Sequence, residues 1–239
     1  MKSSIALLIL LTTPCLADMQ IIDQFFIDRT EVTVGQFRKF VDATNYVTAA
    51  EKKGRGLVYD FGWKKMNGWI WSAPYGTPAQ SDEPAVHITF DEAYTFCAWA
   101  GKRIPRDEEW EKAAFTEFRQ NPPLLFTKGT TYRYPTGNRP EGANCLRDCG
   151  ETATLDYSNR LSRGTGHALA GTTRPGVNGL YDMGANVWEW TEDGGNEKKR
   201  TRGGSWWYGA FRMKADDHAT KPHDMAVVYI GFRCASDLK

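Results

Sequence analysis

No stretch of this sequence is long and apolar enough for a membrane-spanning helix. Such a helix needs about 20 apolar residues, and the run at positions 5–11 has seven. Net charge is nearly absent as well, with 30 Lys and Arg against 29 Asp and Glu. A nucleic-acid partner requires a basic face to displace counterions, so the balance argues against that class. Heptads, fixed-period repeats and low-complexity linkers are missing, which removes coiled coils and solenoids. Histidine is scarce, at four residues, and this narrows the metal chemistry on offer.

Residues 1–17 read as a processing segment rather than as part of a fold. Lys2 supplies a positive start, 5–11 an apolar centre, and Cys15-Leu16-Ala17 the small residues that precede cleavage, expected after Ala17. A competing reading makes Cys15 the acylated residue of a lipoprotein, but Thr12, Thr13 and Pro14 match such a signal poorly. The mature chain, 18–239, is expected in a periplasm or outside the cell, as one compact domain with no transmembrane anchor. Loss of the leader removes one lysine and no acid, which leaves a formal charge of zero. Cys97, Cys145, Cys149 and Cys234 remain, and an even number in an exported chain suggests two disulfides with three pairings open.

Local signals place the first elements. Residues 25–28 predict a short strand, and Thr33 can cap a helix whose Val34, Phe37, Phe40 and Val41 recur at helical spacing. Thr89 and Glu92 match a capping box, in which each side chain satisfies a free N–H of the first turn. Tyr94, Cys97 and Ala98 are expected to form that helix's apolar face, and Gly101 its left-handed end. A third helix is expected over 107–115, with Asp107, Glu108 and Glu109 near its positive end. Beyond Thr116 the chain is rich in Gly, Pro, Asn and aromatics, with strand-like pieces at 187–190 and 227–232. His87 falls in an alternating, strand-like stretch and reads as structural. Residues 121–176 carry neither period, so disulfides, cations or buried aromatics must pin them. Nine tryptophans suit that need. The expectation is an irregular, loop-rich α+β fold.

Six blocks, in order, resemble one family: FFIDRTEVTVGQFRKFVDATNY at 25–46, PAVHITFDEAYTFCAWAGKRIPRDEEWEKAA at 84–114, YPTGN at 134–138, NGLYDMGANVWEWTED at 178–193, RGGSW at 202–206 and GFRCA at 231–235. Across nearly all of its mature length the chain is similar to the formylglycine-generating, or sulfatase-modifying-factor, family. The resemblance implies an elaborated C-type-lectin-like domain. It leaves activity open, because that family contains the copper oxidase that converts a sulfatase cysteine to formylglycine. Its relatives act in siderophore maturation, sulfoxide synthesis and lectin-like ligand display.

The resemblance also implies a Cys97–Cys234 disulfide, tying an early helix to the last strand. Cys145 and Cys149 are then left to each other. A C-x₃-C metal or redox site is the sharper alternative, but no second ligand pair lies nearby. In the copper oxidases two cysteines follow the RGGS block, and those positions are Tyr208 and Met213 here. A phenol and a thioether cannot form a Cu(I) bis-thiolate, and four oxidised cysteines leave no substitute. Formylglycine generation by that route is therefore not expected. Whether the chain is an enzyme at all stays open, and Tyr208, Met213, His218 and His223 are the candidate catalytic residues. His218 and His223, amid Asp216, Asp217 and Asp224, form the local cluster with chemistry for copper or iron, although a solvated loop is the plainer reading.

Calcium is the structural cofactor the resemblance implies. Glu189 would be the side-chain ligand, with carbonyls near Gly184, Ala185 and Val187, and Asn144 part of a second site. The run Met183-Gly184-Ala185 is smaller than the family's, and a salt bridge from Glu189 to Arg202 or Arg233 is the alternative. Ser205, Trp207, Tyr208 and Arg212 are expected to line a ligand groove, with Trp207, Tyr208 and Arg212 accessible and Trp206 and Phe211 in the core. Three functions fit. One is an accessory or maturation factor binding an exported protein or peptide segment, such as that of a periplasmic metalloenzyme. The second is an oxidoreductase with a non-standard metal site, resembling the siderophore-maturation branch. The third is a lectin-like ligand-binding protein that varies over 207–224.

Overall fold

The computed structural model describes residues 18–152, 154–156, 160 and 166–238. The expected leader, its Ala17 cleavage point and Cys15 lie outside these residues. The described chain opens with a hairpin of β1 (Met19–Ile22) and β2 (Phe25–Asp28), which buries Ile22, Phe25 and Ile27. β2 pairs antiparallel with β9 (Ala235–Asp237), so the start and end of the domain share one three-stranded sheet. In α1 (Val34–Thr44) the Thr33 hydroxyl accepts the Gln36 N–H at 3.2 Å and the Gln36 side chain accepts the Thr33 N–H at 2.9 Å. That reciprocal cap fixes the helix start, and Val34, Phe37 and Phe40 then face inward. α2 (Ala49–Lys53) leads into a second hairpin, β3 (Arg55–Tyr59) and β4 (Trp63–Asn67).

α3 (Phe90–Trp99) carries the expected Thr89–Glu92 capping box, and Gly101 follows its end at φ 70°. Its buried face differs from the expected one. Phe90, Ala93, Phe96 and Cys97 point inward, whereas Tyr94 is 51% exposed and Ala98 also faces out. The cause is tertiary: Phe96 stacks on Phe37 at 5.6 Å and meets Phe232 at 5.4 Å, while Cys97 bonds to Cys234. Those partners set the helix's rotation. Burying one such aromatic contributes about 1.5–3 kcal/mol, so three aromatics outweigh Tyr94.

α4 (Asp107–Phe115) follows the expected span, with its three acids in the first turn. Asn178, at φ 58°, closes its far end. The Asn178 amide donates to the Ala113 and Thr116 carbonyls at 2.8 and 2.7 Å and accepts the Phe118 N–H at 2.7 Å. The last sheet has the order β7 (Ala219–Pro222), β6 (Lys198–Arg202), β5 (Trp188–Gly194), β8 (Ile230–Gly231), with β8 parallel to β5. Of the piece expected over 227–232, Ile230 and Gly231 pair with β5 and Val227 forms a parallel bridge with Leu57 of β3. His87 is not in a strand: it sits at φ 57°, fully buried, with Nε2 3.0 Å from the Pro74 carbonyl oxygen. Burial lowers it to about 4.

The Cys97–Cys234 disulfide that the resemblance implied forms, and the remaining Cys145 and Cys149 bond to each other. The long irregular region is pinned by the second of these, by the Phe126–Tyr132 ring pair at 5.4 Å, and by asparagine side chains. Asn186 (φ 45°) reaches Glu31 at 2.7 Å and accepts the Ala168 N–H at 2.8 Å.

Candidate functional site

The RGGSW segment leaves β6 under tight control. Arg202 lies opposite Glu189 in the β5–β6 register, yet its guanidinium turns to α4, where Nε meets Asp107 at 2.8 Å and Nη2 meets Glu111 at 3.0 Å. Burial alone would raise the Asp107 carboxyl, but the Arg202 and Arg200 hydrogen bonds overcome it and hold the group below its usual range. Gly203 and Gly204 then reverse the chain at φ 94° and 79°. A β-carbon on Gly204 would stand 3.1 Å from that of Arg212, so this turn and the segment beyond it pack against each other because Gly204 has none.

Beyond the turn, the side chains depart from the expected groove lining. Trp207 is fully buried, edge-on to Trp206 at 4.9 Å and stacked on Tyr229 at 6.2 Å. Ser205 is buried too, and its hydroxyl accepts the Trp207 N–H at 3.3 Å, bracing the turn rather than facing a ligand. Phe211, expected in the core, is 51% exposed. The physical reason is two successive turns. The Tyr208 N–H returns to the Ser205 carbonyl at 3.0 Å, and a 3₁₀ turn at Ala210–Met213 then sends Ala210 and Met213 inward and Phe211 outward.

The accessible face is therefore Tyr208, Phe211 and Arg212. Arg212 is caged: its guanidinium carbon is 5.5 Å from the Trp188 and Tyr208 ring centres and 5.8 Å from that of Phe211. Asp217 receives Nη1 at 2.8 and 3.1 Å. Nearby Lys221 on β7 is half-buried, and burial, with the Arg212 charge, lowers its ammonium. The result is a cation fixed among aromatic planes, a surface suited to carbonyl, carboxylate or ring partners.

Met213 is 1% exposed and sits in a small core with Ala143, Ala185 and Ala210. Its Sδ is 3.6 Å from Sγ of Cys149. Gly184 makes room for it, since a β-carbon there would lie 2.5 Å from the Met213 methyl. The Cys145–Cys149 loop also touches the segment after RGGSW through Leu146 N–H to the Tyr208 carbonyl at 3.0 Å and Ala210 N–H to the Arg147 carbonyl at 3.2 Å.

The two histidines are not brought together. His218 is exposed before β7, and His223 lies beyond it with Nδ1 2.7 Å from Asp91. Five extended residues span about 16 Å, too far for one ion. Among the described residues no group of three or more His, Cys, Asp or Glu converges as a metal cluster.

Glu189 takes the salt-bridge role, with Arg233 rather than Arg202. Both of its oxygens are engaged, Oε1 by Arg233 Nη2 and Oε2 by Arg233 Nε and the Trp110 indole N–H, each at 2.7 Å. A cation at Glu189 would have to share those oxygens. Two further buried acids, Glu31 and Asp182, face the same guanidinium and were not singled out by sequence reasoning. Burial, then the charges of Asp182 and Glu189, pushes Glu31 well above the usual carboxylate range, and burial raises Asp182. The available signal was an acid inside each of two family blocks. Asn144 is buried and donates to Asn186 Oδ1 at 3.0 Å and to the Gly166 carbonyl at 3.3 Å, while its own carbonyl accepts the Asn186 N–H. Ala185 donates its N–H to the Gly203 carbonyl, and the Val187 N–H goes to Glu31.

Residues 13–238 match the family described as the sulfatase-modifying factor enzyme 1-like domain. The chain is 32% identical over 221 residues to the formylglycine-generating enzyme of Thermomonospora curvata, covering 82% of this chain and 63% of that protein. It is 31% identical over 244 residues to the inactive C-alpha-formylglycine-generating enzyme 2 of Mus musculus, covering 89% and 75%. The chain spans roughly two thirds of three such relatives, at 66%, 67% and 63% of their lengths. Among solved structures, PvdO from Pseudomonas aeruginosa has a TM-score of 0.59 at 21% identity, over 90% of this chain and 80% of that one, a likeness of fold.

Proposed function

This chain belongs to the sulfatase-modifying factor enzyme 1-like family, and from that premise we propose that it is an accessory or maturation factor for an exported partner, such as a periplasmic metalloenzyme. The observation that carries the reading is Arg212, caged by Trp188, Tyr208 and Phe211 and aligned by Asp217. Tyr208 and Met213 stand at the two positions that would supply thiolates. The groove would grip a peptide segment, its carbonyls to Arg212 and its side chains on the rings. The buried Trp188 indole N–H has no acceptor among the described residues. A bound carbonyl that reached it would satisfy a donor otherwise costly to leave unpaired. Similarity to a relative named as inactive supports the same direction.

The test is a photo-reactive side chain at position 211 in cells exporting the full chain. An adduct with an exported protein is expected, and Arg212→Ala should weaken it. Adducts no stronger than those from a control probe at Tyr59 would refute the groove. Calcium stays part of the proposal as a structural ion held by backbone carbonyls near Gly184, Ala185 and Val187, with Asn144 in a second site; at Glu189 it would share oxygens already bonded to Arg233 and Trp110. Chelation should then lower the melting temperature by several degrees, and an unchanged melt would remove calcium from the account.

A further inference from the structure

Sulfur is absent from position 208 and present only as a thioether at 213, yet the fold returns two more sulfur atoms to the same place from another segment. Cys149 Sγ lies 3.6 Å from Met213 Sδ, and its disulfide partner is Cys145. The loop between those cysteines is bonded to Tyr208 and Ala210 through Leu146 and Arg147. The accessibility of the two sulfurs is unequal. Cys149 is fully buried against Met213, whereas Cys145 is partly exposed and flanked by exposed Leu146 and Arg147. Cys97 and Cys234 are both fully buried, so an attacking thiolate reaches the Cys145 side first.

The geometry points to a redox-gated copper site in which reduced Cys145 and Cys149, together with Met213, hold one Cu(I). Metal–sulfur bonds of about 2.3 Å in a trigonal arrangement place two sulfurs about 4 Å apart. The existing 3.6 Å between Cys149 and Met213 is close to that, so only Cys145 must swing away when the bridge opens. Two thiolates and a thioether are a soft donor set that favours Cu(I) over hard cations. Met213 packs there among Tyr134 and the small side chains of Ala143, Ala185 and Ala210.

The gating step balances. A dithiol donor attacks Cys145 Sγ, the S–S bond breaks and Cys149 leaves as a thiolate. The donor's second sulfur then resolves the mixed disulfide, releasing the donor in its oxidised form. The protein gains two electrons and two protons, and Cu(I) binding displaces the protons with no change in the metal's oxidation state. This site does not depend on the groove binding a peptide.

The test uses the full mature chain, oxidised or treated with mild dithiothreitol until two thiols titrate, and probed anaerobically with Cu(I) against bathocuproine disulfonate. The reduced protein is expected to withdraw one Cu(I), with X-ray absorption showing three sulfur neighbours, and the oxidised protein none. Met213→Leu, a near volume-conserving change, should keep the fold and both thiols. It should weaken binding by more than the roughly tenfold that outer-shell changes cost. Cys149→Ser should abolish it. Equal uptake by oxidised and reduced protein, no uptake by reduced protein, or Met213→Leu binding as tightly as the parent would each overturn the site. Near-ultraviolet circular dichroism confirms that the variants remain folded.

Discussion

The two disulfides differ most in the length of chain they close, and that difference makes a sharp stability prediction. Cys97 and Cys234 are 137 residues apart, Cys145 and Cys149 four. In the chain-entropy description a cross-link restricts the unfolded ensemble by an amount that grows with the logarithm of loop length. It comes to about 5 kcal/mol for the long loop and about 2 kcal/mol for the short one. Replacing both members of each pair with alanine should therefore cost about 3 kcal/mol more at the long bridge. Lost packing adds to the gap, because Cys97 and Cys234 are both fully buried whereas Cys145 is partly exposed. With a urea slope near 2–3 kcal/mol/M, the midpoint should fall by about 2 M for the long pair and by less than about 1 M for the short one. Extrapolated free energies are the safer comparison, since removing a cross-link loosens the unfolded chain and raises the slope. Equal losses from the two double variants would refute the reasoning, and would also remove the argument that the short bridge can be opened while the fold stays intact.

Individual contacts set the other expected outcomes. Glu189→Gln removes the carboxylate that receives both Nε and Nη2 of the buried Arg233 guanidinium and should cost about 3–5 kcal/mol in urea unfolding; a loss below about 1 kcal/mol would show that the pair does not hold β5 to the terminal segment. Trp207→Ala should cost about 3–5 kcal/mol, and Phe211→Ala no more than about 0.5 kcal/mol, with the reverse order contradicting the burial of these rings. His87 stays neutral down to about 4 in the folded state, against an ordinary value of 6.5, chiefly because it is buried, with the nearby His167 charge acting in the same direction. Between those values the unfolded chain binds a proton that the folded chain refuses, so stability falls as the pH drops from 6.5 to 4, by about 3 kcal/mol in full. His87→Asn should flatten that part of the profile, and an unchanged slope would assign the acid sensitivity elsewhere.

Much of this protein is readable without its structure, and for a consistent reason. Helix starts at Thr33 and Thr89, the stop at Gly101 and the acidic opening of α4 are signals contained within one or two turns, so linear order carries them. Ordered blocks carry the family and, through it, the Cys97–Cys234 pairing, which leaves Cys145 and Cys149 to each other. Linear order fails where a side chain's direction depends on a partner far along the chain. Tyr94 faces water because Cys97 must meet Cys234, and Glu189 chooses Arg233 because α4 has already claimed Arg202. In the glycine turn after β6 no 2- or 3.6-residue period operates. Only the close packing there decides that Trp207 goes in, Phe211 goes out, and Met213 comes to rest against a cysteine 64 residues away.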